Sequence, residues 1–265
     1  MSAAGSDGST RRAWANLIAP IVGLIAFFGG WELLVRLFDV RAFVLPGPWR
    51  IVRHIADDPG FYLRNARPTV VEAVAGFFIA LVAGFAIGAA MAHSRFIERA
   101  VLPVAVLVQV TPIIAYAPAF VIWLSFGAKP IVAISSLVAV VPFALNTVTG
   151  LRSVDLLALE VLESAAASRR EIFWKLRAPS AMPMVFAAAR ISVGLALVGA
   201  VIGEFFAGVS DGLGHAIRVA QNNPLLLLDQ MWGSIFVLGF IGAIGTLAVT
   251  SLERWLVRWH ASVRS

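Results

Sequence analysis

Residues 154–183 read VDLLALEVLESAAASRREIFWKLRAPSAMP. The stretch is too charged to cross a bilayer and too rich in strong helix formers to be a plain linker. Residues 156–167 are mostly Leu, Ala and Glu, which predicts a first helix. Ser168 can cap a second, because its hydroxyl can accept from a backbone N–H and Glu171 stands three residues on, as in a capping box. Pro179 and Pro183 then mark the entry to the next apolar run. Two short helices with a bend between them are expected, held across the ends of two spans. Such an element can sit in a cleft of a soluble partner and transmit rigid-body motion. From the pattern alone, a solvated interhelical loop serves equally well.

The flanks of this stretch are of another kind. A membrane-crossing helix takes about 20 mostly apolar residues at about 1.5 Å each. Six segments meet or approach that length: 14–38, 69–91, 100–126, 130–148, 181–205 and 228–252. The bulk composition agrees, with 60% hydrophobic and 14% charged residues, against about 45–50% and about 25% in soluble domains. The fold class is therefore all-α, a polytopic membrane protein with about six transmembrane helices. Residues 1–13 are small and polar and are expected to be a disordered tail. Residues 14–258 form one transmembrane domain, with the loop at about 151–179 and a short tail at 259–265. Arg11-Arg12 ahead of an apolar run does not make a signal peptide, since the run is too long and no small-residue cleavage site follows. Between the first two spans, Leu45-Pro46-Gly47-Pro48 is a turn, followed by a short interfacial helix near residues 49–56.

The basic residues sit singly or in pairs between apolar spans, which argues for membrane anchoring and against nucleic acid. With both termini in the cytoplasm, twelve Arg and Lys fall in cytoplasmic segments and eight on the opposite side, the bias expected of inner-membrane proteins. The loop at 151–179 is then the only long cytoplasmic segment between spans.

Several chemistries are missing. No G-x-x-x-x-G-K-[ST] phosphate loop is present, so this chain cannot hold ATP in that manner. There is no cysteine, no H-E-x-x-H and no G-x-S-x-G, and the four His are scattered, which argues against a metal centre or a membrane-embedded enzyme. Polar groups inside spans are few and therefore informative. Gln109 and Thr111 flank Pro112, a helix breaker in an otherwise apolar span, and are the first candidates for lining a solute path, with Tyr116, Asn146 and Ser192 behind them. Arg190 is expected to snorkel or to form a structural ion pair rather than touch solute. A secondary transporter driven by an ion gradient is the rival reading. It would need a midplane carboxylate and usually a repeated architecture, whereas Glu72 and Glu204 lie near span ends and no repeat is visible.

The loop resembles the EAA loop in the membrane subunits of bacterial ABC importers: Glu-Ala-Ala, three residues, Gly, nine residues, Ile, one residue, Leu-Pro. Glu160-Val161-Leu162, Ala166, Leu176 and Ala178-Pro179 fall on that spacing. Ala166 stands where the pattern has Gly, and alanine tolerates φ > 0 poorly, which counts against a left-handed turn there. The flanks are similar to the sulfonate/nitrate/taurine branch, through residues 146–155 (NTVTGLRSVD), 167–173 (ASRREIF), 45–48 (LPGP), 117–124 (APAFVIWL) and Gly203-Glu204. That branch also includes importers of pyrimidine precursors of thiamine, riboflavin and aromatic acids. The resemblance implies a type I ABC importer permease fold in the bacterial inner membrane, surrounded by membrane lipid. It implies a homodimer of permease subunits, two ABC ATPase subunits docked on Glu160, Glu163, Ala166, Ala167, Ser168, Arg169 and Pro179, and an extracytoplasmic solute-binding protein. No cofactor is implied for this chain, ATP and Mg belonging to the ATPase.

Overall fold

The computed structural model describes residues 7–42 and 44–257. The tail expected at 259–265 lies outside them, as do the first six residues of the segment expected to be disordered at 1–13. Helix α1 spans Asp7–Leu37 and so takes in the rest of that segment. It is followed by α2 (Pro48–Asp57), α3 (Pro59–His93), α4 (Arg95–Val110), a 3₁₀ turn (Ile113–Ala115), α5 (Ala117–Leu124) and α6 (Ala128–Arg152). Then come α7 (Leu156–Ser164), α8 (Arg169–Ile172), a π-helical segment (Phe173–Arg177), α9 (Ala178–Phe206), α10 (Leu213–Asn222) and α11 (Pro224–Leu256). No strand occurs among the described residues.

Five helical stretches among the described residues are long and apolar enough to cross a membrane: Ile18–Leu37, Pro59–His93, Ala128–Arg152, Arg169–Phe206 and Pro224–Leu256. A sixth crossing exists only if α4 and the helices after it count as one. The expected span at 100–126 is two helical pieces, Arg95–Val110 and Ile113–Leu124, bent by 92°. The cause is local. Pro112 disfavours the helical region for the residue before it, and Thr111 is extended at φ −74°, ψ 125°. Pro103 lies inside α4 without ending it, while Pro118 occupies the first turn of α5, where its missing N–H costs nothing. Between α3 and α4 only Ser94 lies outside a helix, and its hydroxyl accepts the Ile97 N–H at 3.4 Å.

The chain divides into two compact units, residues 1–59 with 220–233, and residues 60–219 with 234–265. In the first, Glu32 of α1 accepts the Trp49 N–H at 3.2 Å and pairs with Arg36 at 2.7 Å, supplying the N-terminus of α2 with a remote cap. Arg50 of α2 forms a fork with Asp229 (2.8–3.2 Å), which raises its already high pKa further. Trp31 meets Trp232 edge-on at 5.5 Å between centroids.

The core of the second unit is α6, packed between α3 and α9. Its seam with α9 repeats one motif in opposite senses. Ser135 of α6 donates to the Ala196 carbonyl at 2.8 Å, and Ser192 of α9 donates to the Ala139 carbonyl at 3.1 Å. Ser and Ala four residues apart on each helix thus answer each other, a small-xxx-small contact secured by hydrogen bonds. Such bonds average about 0.6 kcal/mol in membranes, so they fix register more than they add stability. Close approach needs small residues throughout. A Cβ on Gly199 would sit 2.6 Å from Ser135 Cα, and one on Gly84 of α3 would sit 2.5 Å from Phe143 Cβ. The buried cluster here is accordingly mostly alanine: Ala80, Ala139, Ala188, Ala189 and Ala196 around Phe143.

Candidate functional site

The loop between α6 and α9 is built as a preformed pair of helices. Asp155 caps α7 by accepting the Leu157 N–H at 3.0 Å. Helix α7 turns Ala158, Leu159 and Leu162 partly inward and leaves Leu156, Leu157, Glu160, Val161 and Glu163 exposed. The Leu156, Leu157 and Val161 side chains keep about two thirds or more of their surface free (71%, 71% and 67%). An apolar face of that kind on a polar connection points to a partner. Among the described residues, no bond engages the Glu160 carboxylate.

The turn after α7 corrects the expectation drawn from Ala166. That residue adopts φ 56°, the left-handed conformation that its Cβ resists. The surrounding bonds impose it. The Ala167 N–H reaches the Leu162 carbonyl (3.0 Å) and the Ala166 N–H reaches Glu163 (2.9 Å), the two bonds of a Schellman motif. Ser168 follows at once. Its hydroxyl accepts the Glu171 N–H at 3.3 Å and the Glu171 carboxylate accepts the Ser168 N–H at 3.0 Å, the expected capping box. Arg169 is exposed at the first position of α8, and Pro179 sits in the first turn of α9. Between them, the π-helical Phe173–Arg177 joins α8 to the span, a geometry rare in proteins and frequent at functional sites.

The expected path residues do not form one group. Gln109, Thr111 and Tyr116 all fall at the break between α4 and α5, Gln109 exposed and the other two half-buried. Asn146 lies on α6, with its amide nitrogen donating to the Pro142 carbonyl at 2.9 Å. Ser192 is fully buried in the α6–α9 seam, so its hydroxyl is engaged in packing. Arg190 pairs with Glu253 of α11, which is the ion pair of the two alternatives expected of it and not the snorkelling one.

Two polar clusters escaped the sequence reading. In the first, the buried Glu204 carboxylate near the end of α9 accepts from the Thr69 hydroxyl (2.6 Å) and from the N–H groups of Gly214 (2.6 Å) and His215 (3.3 Å). Thr69 accepts the Leu213 N–H at 2.9 Å and Asn65 the Gly212 N–H at 3.2 Å. The orphan donors at the start of α10 are thus capped by side chains of α3 and α9. Gly212, at φ 120°, leaves room for the carboxylate that any side chain there would strike. Burial and the nearby Arg218 hold His215 below its usual range, so its neutral ring can accept from that guanidinium at 3.4 Å. In the second cluster, Arg152, the last residue of α6, grips Glu98 of α4 with two bonds of 2.7 Å and donates to the Met91 carbonyl of α3 at 3.0 Å. Glu204 stood out in the sequence as a carboxylate near a span end, and both Gly203-Glu204 and Arg152 lay in the family-like stretches, but nothing there linked either residue to its partners.

Long apolar helices with small-residue seams, one broken helix and an exposed helix–turn–helix on one connection are the architecture of a membrane permease subunit. The chain belongs to the binding-protein-dependent transport system inner membrane component family, whose profile matches residues 76–261. It is 31% identical to a formylaminopyrimidine transport permease of Halalkalibacterium halodurans over 87% of this chain and 91% of that one. It is 32% identical to a riboflavin transport system permease of Chloroflexus aurantiacus, with coverages of 95% and 93%. A methionine ABC transporter solved in inward-facing conformations shares the fold at a TM-score of 0.63 and 17% identity, over 80% of this chain and 98% of that one. The protein is an ABC importer permease of the inner membrane, crossing it several times.

Proposed function

We propose that this chain forms the translocation path of an ATP-driven importer, and that a separate ATPase subunit docks on the α7–α8 loop at the cytoplasmic face. Two copies pair around the path, each receiving one ATPase, and an extracytoplasmic binding protein delivers solute to the opposite side. ATP and Mg stay with the ATPase. The observation that carries this reading is the α7 face of Leu157, Glu160 and Val161, exposed on a connection whose turn and caps are already formed. Preformed elements lower the ordering cost of association, and Glu160 offers a free carboxylate among apolar neighbours. The solute is a small organic molecule. The heteroaromatic type named for the two relatives above is the first to test, ahead of taurine, sulfonates and nitrate. Gln109, Thr111 and Tyr116, at the break between α4 and α5, are the proposed path contacts.

The test uses the absence of native cysteine. Single Cys residues at 160, 166 and 169 should crosslink to the ATPase subunit in the assembled complex, and one at 95 should not. Equal crosslinking at 95, or none from the loop, would put the docking surface elsewhere. In the same complex with its binding protein, ATP hydrolysis should rise with a formylated aminopyrimidine or with riboflavin before it rises with taurine. Uptake that persists without ATP and collapses with an ionophore would instead favour a secondary transporter.

A further inference from the structure

We infer that the Glu98–Arg152 clamp, with His93 and Phe173 beside it, is the linkage through which motion of the α7–α8 loop reaches the broken helix. The inference rests on the docking role proposed for that loop.

The loop is held on both sides by one short turn. On its N-terminal side, Arg152 stands three residues before the α7 cap Asp155 and reaches Glu98 and the Met91 carbonyl. On its C-terminal side, Phe173 opens the π-helical segment and packs against His93, with ring centroids 5.7 Å apart. His93 is itself fixed, its Nδ1 lying 2.8 Å from the Ala89 carbonyl. All of these contacts converge on residues 91–98, where α3 gives way to α4 through the single residue Ser94. A turn of one residue has little slack to absorb a displacement.

The chemistry of the clamp suits transmission. Guanidinium and carboxylate meet through two parallel bonds, which fix angle as well as distance. A lone ammonium would act as a point charge and leave the angle free. The third bond, to the Met91 carbonyl, ties the same guanidinium to the end of α3. Displacing Arg152 therefore turns α4 at its first turn. Helix α4 continues without a break through Pro103 to Val110, where the 92° bend and the proposed path residues lie. A rotation entered at Glu98 leaves the helix at Gln109 and Thr111.

Glu98→Gln, Arg152→Gln and the exchange pair Glu98→Arg/Arg152→Glu separate transmission from support. A single Cys at Leu107 reports on α4 through its rate of maleimide labelling. A Cys at Glu160, in a parallel set, reports on docking by crosslinking to the ATPase. In the parent complex, ATP with vanadate should change the labelling rate at 107 by roughly fivefold or more, the scale of an ordinary coupling between sites. Each single variant should lose that response while keeping ATP hydrolysis and the 160 crosslink, and the exchange pair should regain part of it. A parent rate at 107 indifferent to ATP and vanadate overturns the inference, as does a full response in both single variants. Parallel loss of response, hydrolysis and crosslink, unrepaired by the exchange, also overturns it, because the clamp would then only support the fold. Absence of the 160 crosslink in the parent complex would count against the docking proposal itself.

Discussion

The two ends of α3 handle polar groups in opposite ways. Near Thr69 they are buried and hydrogen-bonded across helices, with Glu204, Thr69 and Asn65 supplying the start of α10 from three positions. Beyond Met91 they are exposed and directional, with one guanidinium fork and a helix pair whose apolar side chains face outward. A buried network cannot shift one member without leaving others unpaired, and unpaired groups are costly where water is absent. An exposed fork can move as a body, since water satisfies whatever it releases. The first arrangement suits a fixed end and the second a driven one.

The largest expected effect comes from breaking the fixed end. Glu204→Ala leaves the N–H groups of Gly214 and His215 without their acceptor, while the Thr69 hydroxyl keeps the Asn65 carbonyl at 3.2 Å. At about 1–3 kcal/mol for each unpaired group, the loss should exceed roughly 2 kcal/mol. Thermal unfolding in detergent should show it as a large drop in midpoint or as failure to recover folded protein. A midpoint within a degree or two of the parent would mean that the cluster is hydrated and the contrast between the two ends is smaller than drawn.

A smaller effect tests the seam joining both ends. Gly199→Val places methyl groups where a Cβ alone would already stand 2.6 Å from Ser135 Cα. Backbone lies on the other side, so α6 and α9 must separate and the Ser135 bond to Ala196 must lengthen. Overpacking of this kind costs about 1–3 kcal/mol. Ser192→Ala should cost less, about 0.6 kcal/mol, because it deletes one hydrogen bond and no volume is added. If the serine change proved the more damaging of the two in the same detergent assay, Ser192 would be more than a packing residue.

Much of this fold was legible in the sequence, and the exceptions share a cause. Hydropathy located the crossings because a bilayer demands long apolar helices. The Ser168–Glu171 capping box was legible because both partners lie within one turn. Pro112 announced an interruption, but its 92° size depends on how α5 packs and no local pattern holds that. Ser192 was read as a path candidate because a hydroxyl in a span looks the same whether it faces water or a neighbour's carbonyl. The Glu204 cluster was missed because Thr69 is 135 residues away in sequence, with no periodicity linking them. Ala166 was misread for a different reason. Its residue type argued against positive φ, and the local preference gave way to two backbone bonds that close only in that conformation.

That override supplies the most delicate prediction, at the driven end. A non-glycine residue in the left-handed region carries about 1–2 kcal/mol of strain. Glycine removes the strain but returns part of the gain through the greater freedom of the unfolded chain. Ala166→Gly should therefore stabilise the α7–α8 turn by about 1 kcal/mol while leaving the global unfolding midpoint almost unchanged, because an exposed loop opens independently of the bundle. The place to look is amide exchange at Ala167 and at position 166, whose N–H groups bond to Leu162 and Glu163. Both should exchange roughly fivefold more slowly in the glycine variant, the equivalent of about 1 kcal/mol in local opening. Ala166→Val should push the other way, since a β-branched side chain suits positive φ worse still. The ATPase crosslink from position 160 should survive in both variants, because the change lies in the stability of the turn and not in its shape. Exchange that stays the same in the glycine variant would mean that the strain at Ala166 is relieved by its neighbours, leaving the loop no softer than the seam it is contrasted with.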